Sequence, residues 1–464
     1  MKPVPPRALF DAVLVLLGVL CVLALWRALA TAGLEVPLDP NEGWNAYHAA
    51  AAMQGGPLYP AAQNYLVNNY PPLSFYLVGA LGLVTGDPIV AGRILSLLAV
   101  LGIACGLFAA ARAMGCSMRA AALPPLLFIA GLAVFADYLG MDDPQLLAHA
   151  VAMAGFLLLL RQRRSNAVLA GAALLFVIAF FVKHNVLAMA IAATLWLLLQ
   201  ERRNAFKLAG FGLAFLLAGL FLFRLAYGSD LLSHLLTARL YSFQQLGDGL
   251  LGGLQRSGVA LAGLVLLVVL KPHDRYVRLS ALYAAIAILI GALFLGGAGV
   301  DVNVLFDADI ALALAAALLV DRAGNWKAAL AVLYALPLLY FAASNEDWHR
   351  ADYWLHPLQQ EAATSRRDIA FLTAHKGPAL CEMLSFCFWA EKPPAVDVFN
   401  VGQQFDTGVR SDAELTRWIE AKRFAVIQFD PDSPEPLGDN ILAAMTQSYR
   451  VDHSDEFGTF YLPR

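Results

Sequence analysis

The chain has 464 residues, 59% of them hydrophobic and 14% charged, with a mean hydropathy of +0.63 and a formal net charge of −3. A soluble protein carries roughly a quarter charged residues, so a soluble enzyme is excluded; the net charge says nothing about partners, because the charges are segregated by side of the membrane. What remains is a polytopic membrane protein, its apolar residues gathered into blocks of about 15 to 24, the length that crosses a hydrocarbon core of roughly 30 Å.

The first block, at about 8–31, is followed by no small-residue cleavage site and soluble domain, and is read as a retained span. Further blocks lie at about 89–111, 119–136, 144–160, 166–182, 184–200, 207–227, 257–270, 279–297, 306–320 and 327–343. One more, Leu73 to Val84, is short and sits between Tyr70-Pro71-Pro72 and Gly86-Asp87-Pro88. The positive-inside rule decides its role. If it stays out of the count, fifteen Lys and Arg residues, from Lys2 and Arg7 to Arg322 and Lys327, fall on one side. Only Lys183, Arg239 and Arg256 fall on the other before the tail. If it crossed, every later loop would change sides. The expectation is therefore about 11 spans with the N-terminus cytoplasmic, and an interfacial or re-entrant helix at 73–84.

This topology collects the remaining polar features on the outer face: Asp39 and Glu42, Asn68-Asn69-Tyr70, Asp142-Asp143, Lys183-His184-Asn185, Asp301-Val302-Asn303 and Asp307. Ionisable groups near a bilayer are costly unless paired or wet, so the pattern predicts a hydrated cavity opening outward. Residues 1–343 form the membrane unit, with 31–88 as a first outer loop that has no Lys or Arg. Residues 344–464 read as a small α/β domain outside. Its expected strands are Ala379–Met383, Ala395–Phe399, Phe424–Phe429 and Thr459–Leu462; its expected helices are Ala362–His375, Asp412–Lys422 and Asn440–Gln447. Cys381 and Cys387 pair only if a turn brings them together, and free thiols are the plainer reading.

Each candidate has a structural reading beside the functional one. Glu42 lies in the first turn of a helix over 44–53, where the helix dipole alone favours a carboxylate, and Asp39 or Asn41 suits the cap. Asp142-Asp143-Pro144 has the form of a helix start, yet two carboxylates exceed what capping needs. Glu42, Asp142 and Asp143 together suit a possible divalent cation through oxygen ligands, or the hydroxyls of a sugar. Lys183 is a snorkelling lysine or the cation that receives a phosphate leaving group, with Arg93 a second choice and His184 a hydrogen-bonding neighbour. Asn303 and Asp307, four residues apart after a Gly-rich turn, share a helical face toward the cavity or simply cap the turn.

The order of these features resembles the GT-C glycosyltransferases, in particular the dolichyl-phosphate-mannose-protein mannosyltransferase-like group that also covers aminoarabinose transferases of lipid A. The resemblance rests on the acidic pair after the first span, Gly55-Gly56-Pro57-Leu58-Tyr59, Tyr70-Pro71-Pro72-Leu73, Gly92-Arg93, the Asp142-Asp143 loop, Lys183 and Asn303-x-x-Phe306-Asp307. In the tail it rests on Pro378-Ala379-Leu380-Cys381-Glu382 and Arg423-Phe424-Ala425-Val426-Ile427. The family's Asp-Glu is Asn41-Glu42 here and its Lys-Gln is Lys183-His184. The resemblance implies an inverting transfer of a sugar from a polyprenyl-phosphate donor lipid to a glycan, lipid or protein acceptor, at the outer face of a bacterial cytoplasmic membrane. It carries the base role to Glu42, with Asp39 as support or substitute, and Asp142, Asp143, Lys183, His184, Arg93, Tyr70, Asn303 and Asp307 as substrate contacts. The rivals are a flippase or transporter, which would show repeats and charges at the bilayer midplane, and a polysaccharide polymerase or ligase.

Overall fold

A computed structural model of the chain describes residues 6–61, 64–430 and 437–464; Lys2 lies outside them. The membrane unit runs α1 (Pro6–Thr31), α2 (Pro40–Gln54), α3 (Leu73–Thr85), α4 (Pro88–Ala113), α5 (Met118–Leu132), α6 (Pro144–Leu159) and α7 (Asn166–Val182). It continues α8 (Ala188–Gln200), α9 (Arg202–Tyr227), α10 (Asp230–Leu235), α11 (Phe243–Leu270), α12 (Arg275–Leu295), α13 (Phe306–Arg322) and α14 (Lys327–Ser344). All eleven apolar blocks are helical. Among the described residues, eight helices are long and apolar enough to cross a membrane, and α3, α6, α7 and α8 are shorter apolar helices. The molecule is a multi-pass membrane protein.

The short block is helix α3, whose 13 residues rise only about 20 Å, less than the hydrocarbon core. Gly86, at φ 80°, ends it, and Asp87-Pro88 starts α4 at once. The two helices meet so closely that a Cβ on Gly82 would lie 3.2 Å from Pro88 Cα. One expectation about the loops fails: Arg256 lies on α11, which begins at Phe243 and not near 257, and there it pairs with Asp309 of α13 at 3.3 Å. A partnered charge is tolerated inside a bundle, and its presence hid the first half of the helix.

Helix α13 sits at the centre, buried along almost its whole length against α12, α5 and α11. Ala311, Ala313, Ala315, Ala316 and Ala317 let these neighbours approach, as small residues do where lipid supplies no hydrophobic drive. Helices α9 and α11 are the opposite case, with Leu213, Leu217, Phe221, Leu250 and Leu254 all exposed on the periphery.

The tail comprises α15 (Ala351–Leu355), α16 (Gln359–Ala374), α17 (Leu384–Trp389), α18 (Val398–Asp406), α19 (Ala413–Glu420) and α20 (Asp439–Ser448). They accompany a sheet of β1 (Ala379–Cys381), β2 (Val426–Phe429), β3 (Tyr449–Asp455) and β4 (Gly458–Pro463), in the order β1-β2-β4-β3. Strand β1 runs parallel to β2 and the other pairs are antiparallel. The strand expected over Ala395–Phe399 is not formed: residues 395–397 are irregular, and Val398 and Phe399 open α18. Pro393 and Pro394 lack ladder donors, and Asp397 caps the helix by accepting from Asn400 N at 3.1 Å. Strand β3 escaped the sequence reading because it is an edge whose Arg450, Asp452 and Ser454 face solvent. Cys381 and Cys387 form a disulfide, with Cα atoms 5.9 Å apart. It closes a loop holding α17, which docks on α2: a Cβ on Gly43 would lie 2.0 Å from Ser385 N, so only glycine permits that approach.

Candidate active site

The site is built on three helix starts of one design. Asp39-Pro40, Asp87-Pro88 and Asp143-Pro144 open α2, α4 and α6, each Asp accepting from the backbone N–H two residues on and each Pro filling the first helical position. A carboxylate has two oxygens and a cap uses one. Asp87 gives the other to the Trp389 indole at 3.0 Å, and Asp143 gives the other to Lys183 Nζ at 3.2 Å. At Asp39, Oδ1 accepts from both the backbone N–H and the side-chain amide of Asn41. Among the described residues, Asp39 Oδ2 accepts from none.

Glu42 has the contrary fate. Its Oε1 accepts from Arg93 Nε at 2.8 Å and Asp142 N at 3.0 Å; its Oε2 accepts from Arg93 Nη2 at 2.6 Å and Leu38 N at 3.0 Å. Arg93 spends its other donors on the carbonyls of Thr31, Leu34 and Val36. Both side chains are fully buried. Every N–H of the guanidinium and both carboxylate oxygens are engaged, in the bidentate geometry that suits this pair. The knot ties α4 to the loop entering α2. It leaves Arg93 no donor for a phosphate and Glu42 no lone pair directed at a substrate, contrary to the roles the sequence suggested.

Asp142 is buried, and its backbone carbonyl accepts from Asn45 Nδ2 at 2.6 Å. Its side chain fills the space over Gly92, where a Cβ would come within 1.9 Å of Oδ1. Burial, then the charges of Glu42 and Asp143, push its carboxyl well above the usual carboxylate range. Glu42, Asp142 and Asp143 do not converge as a ligand set: among the described residues, only Asp368, His453 and Asp455 bring three ligand atoms together. These three groups therefore do not gather into the cation site that the sequence offered as one alternative.

Lys183, between α7 and α8, is buried with its ammonium 3.5 Å from the centre of the Tyr70 ring and paired to Asp143. Burial alone would lower its pKa, but Asp143 and Tyr70 hold the ammonium above its usual range. Tyr70 packs edge-on against Trp44, whose indole donates to Val67 O at 2.9 Å and to Asp397 of the tail at 3.0 Å. His184 faces away toward Phe294, and burial pulls it down to about 4, so it is a neutral neighbour. For Asp39, burial, with the nearby charges of Glu42 and Asp143 adding to it, pushes the carboxyl up to about 6.

The Gly-rich turn divides its residues differently from expectation. Asn303 is buried in a short 3-10 turn. Asp307 turns into the bundle, where it accepts from the Tyr283 hydroxyl at 2.5 Å and lies 3.5 Å from His149 Nε2. Asp301 and Asp309 face the cavity instead. This cavity, of about 1200 Å³, runs between α5, α11, α13 and α14 and is lined by residues such as Leu127, Phe128, Val259, Leu312 and Pro337. Its polar end holds Gln245 and Asp301, and Asp301 accepts from the Tyr138 hydroxyl at 2.9 Å. Tyr138 thus lies beside the polar end of the cavity. Sequence reasoning missed Tyr138, His149 and Tyr283; a histidine in the apolar run Leu146–Met153 was the signal available.

No protein-family model matches the chain, and no curated protein does. Solved structures do. ArnT from Cupriavidus metallidurans bound to undecaprenyl phosphate superposes with a TM-score of 0.63 at 14% identity, covering 96% of this chain and 97% of that one. The same protein in the apo state gives 0.65 at 13% identity over the same shares. The chain shares the fold of ArnT over nearly its whole length, tail included.

Proposed function

We propose that the protein is an inverting glycosyltransferase that moves a sugar from a polyprenyl-phosphate donor to an acceptor hydroxyl, with Asp39 as its base. The observation that carries this reading is the open Oδ2 of Asp39, alone among the three Asp-Pro starts in having no partner among the described residues. A carboxyl pushed up to about 6 still ionises at neutral pH and is a better proton acceptor than an ordinary carboxylate. The apolar cavity exceeds the roughly 300–1,000 Å³ of a drug-sized site, and an isoprenoid chain fills such a space. A structural neighbour that binds undecaprenyl phosphate supports a lipid of this class.

In the proposed reaction the acceptor oxygen attacks the anomeric carbon from the face opposite the phosphate. The bond from that carbon to the phosphate oxygen breaks, and polyprenyl phosphate departs with the electron pair. Asp39 Oδ2 takes the acceptor's proton. The Lys183 ammonium, already desolvated and held at Tyr70 and Asp143, is the cation that offsets the developing phosphate charge. Glu42 and Arg93 position the loop that carries Asp39. Asn303 and Asp307 support the cavity wall from behind and do not contact the sugar.

We place the site and the tail on the outer face of the membrane. The distribution of Lys and Arg supports this, and so does the Cys381–Cys387 bond, since disulfides persist in oxidising compartments. The test is transfer of radiolabelled sugar from a panel of polyprenyl-phosphate sugars in proteoliposomes, comparing the wild type with Asp39→Asn and Glu42→Gln. Transfer that collapses in a well-folded Asp39→Asn protein supports the assignment. Full transfer in that variant returns the base to another carboxylate, and no transfer from any donor by the folded wild type overturns the reaction class.

A further inference from the structure

The tail carries a cluster that the glycosyl-transfer reading does not use. Asp368 lies on α16, and His453 and Asp455 lie on β3. One ligand atom from each comes within 4.8 Å of the others. The Asp368 side chain is 3% exposed, and its Oδ2, buried, has no hydrogen-bond partner among the described residues. An orphaned buried carboxylate oxygen is costly, and a native fold keeps one where something else satisfies it.

The geometry around His453 points to a cation. Its Nδ1 lies 3.0 Å from Asp452 Oδ2, a contact that holds the ring proton on Nδ1 and leaves the Nε2 lone pair directed at Asp368. A carboxylate bonded to the far nitrogen is the usual outer partner of a metal-binding histidine. His453 Nε2 and Asp368 Oδ1 are 3.4 Å apart, longer than an ordinary N–H···O bond. That separation matches the edge of a tetrahedron built on bonds of about 2.1 Å, roughly 3.4 Å. The ring is fixed by stacking on Phe460, with centroids 4.5 Å apart, and by the edge of Phe371 at 4.9 Å. A register shift between Val451 and His453 interrupts the β3–β4 ladder at this point, and bulges of this kind re-aim side chains. Asp455 Oδ1 accepts from Phe457 N at 2.9 Å, which orients its carboxylate at the rim.

We propose that Asp368, His453 and Asp455 bind a divalent transition-metal ion of the zinc type, with Asp452 as the outer partner of His453. One imidazole and two carboxylates suit zinc or manganese better than calcium or magnesium. Three protein ligands leave a fourth position for water, on the exposed side of β3. The ion would clamp α16 to the sheet. The Ser365 hydroxyl, one turn before Asp368, donates to Glu35 O, between the Leu34 and Val36 carbonyls that hold Arg93. Metal binding in the tail therefore braces the loop that enters α2.

The test uses the full-length protein, purified in detergent without a polyhistidine tag and stripped with a chelator. Zinc titrated by calorimetry should bind with one equivalent per chain, and cobalt should give the absorption of a tetrahedral site. Asp455→Asn, at the partly exposed rim where folding tolerates change, should abolish the stoichiometric site. Asp452→Asn should weaken it about 10–100-fold while keeping the cobalt spectrum. His453→Gln should lose that spectrum. Failure of the folded wild type to bind zinc or manganese at micromolar concentration overturns the proposal, as does unchanged binding in Asp455→Asn and His453→Gln. Sugar transfer is not the readout, so this outcome is independent of the reaction assigned above.

Discussion

Helices α2 and α6 begin with the same two residues, and their carboxylates end in different states. Asp143 starts α6 inside the bundle, where its second oxygen holds a buried lysine. Asp39 starts α2 at the mouth, half-buried, with its second oxygen open. Local sequence specifies the cap in both cases; what lies across the gap decides whether the carboxylate is structural or available. Glu42, three residues after Asp39, sharpens the contrast because it has a better-placed partner than either.

Asparagine caps a helix about as well as aspartate, so it separates the two roles. The largest effect is expected for Asp39→Asn, which should cut sugar transfer about 10²–10⁴-fold with thermal unfolding in detergent almost unchanged. In the wild type the rate should rise with pH through about 6, the value to which burial raises Asp39, as the base ionises, and then level off. That limb should vanish from the residual activity of the variant. A comparable loss of stability in Asp39→Asn would erase the distinction drawn here.

Arg93→Met leaves Glu42 charged, buried and unpaired, and should cost about 3–5 kcal/mol of stability, read as a collapse in the yield of folded, inserted protein. A well-folded Arg93→Met protein that fails only in transfer would restore Arg93 to the substrate. Asp143→Asn keeps the α6 cap but strips Lys183 of its counter-charge, and should lower stability by about 1–3 kcal/mol, with weaker donor binding in a lipid-phosphate competition assay. Smallest of all, Asp87→Asn keeps the cap and risks only the Trp389 contact, a loss of about 0.5–1 kcal/mol by thermal melt and none in transfer.

The helical architecture was legible because apolar blocks of spanning length have few other uses, and the Asp-Pro starts could be read from adjacent residues. The site's polar residues were legible as a set, since charges near a bilayer need a reason. Their division of labour was not. Arg93 reads as a free cation in sequence, and nothing near it announces that Glu42, 51 residues earlier, occupies it. Asp307 and Asp309 lie two apart on α13, one bonded to Tyr283 and the other paired with Arg256, and a helical periodicity of 3.6 does not say which of them meets the cavity. In the tail, α18 replaced an expected strand because a capping Asp and two prolines outweighed β-branched composition.

The backbone contact between Gly43 and Ser385 also has a meaning in time. About 340 residues separate the two, and at roughly 5–20 residues per second a ribosome needs about 20 to 70 s to make that stretch. Helix α2 is thus synthesised long before the segment it rests on. Throughout that interval its docking face must be shielded by lipid, by a chaperone or by a provisional neighbour, and the candidate site is completed only when nearly the whole chain has been made.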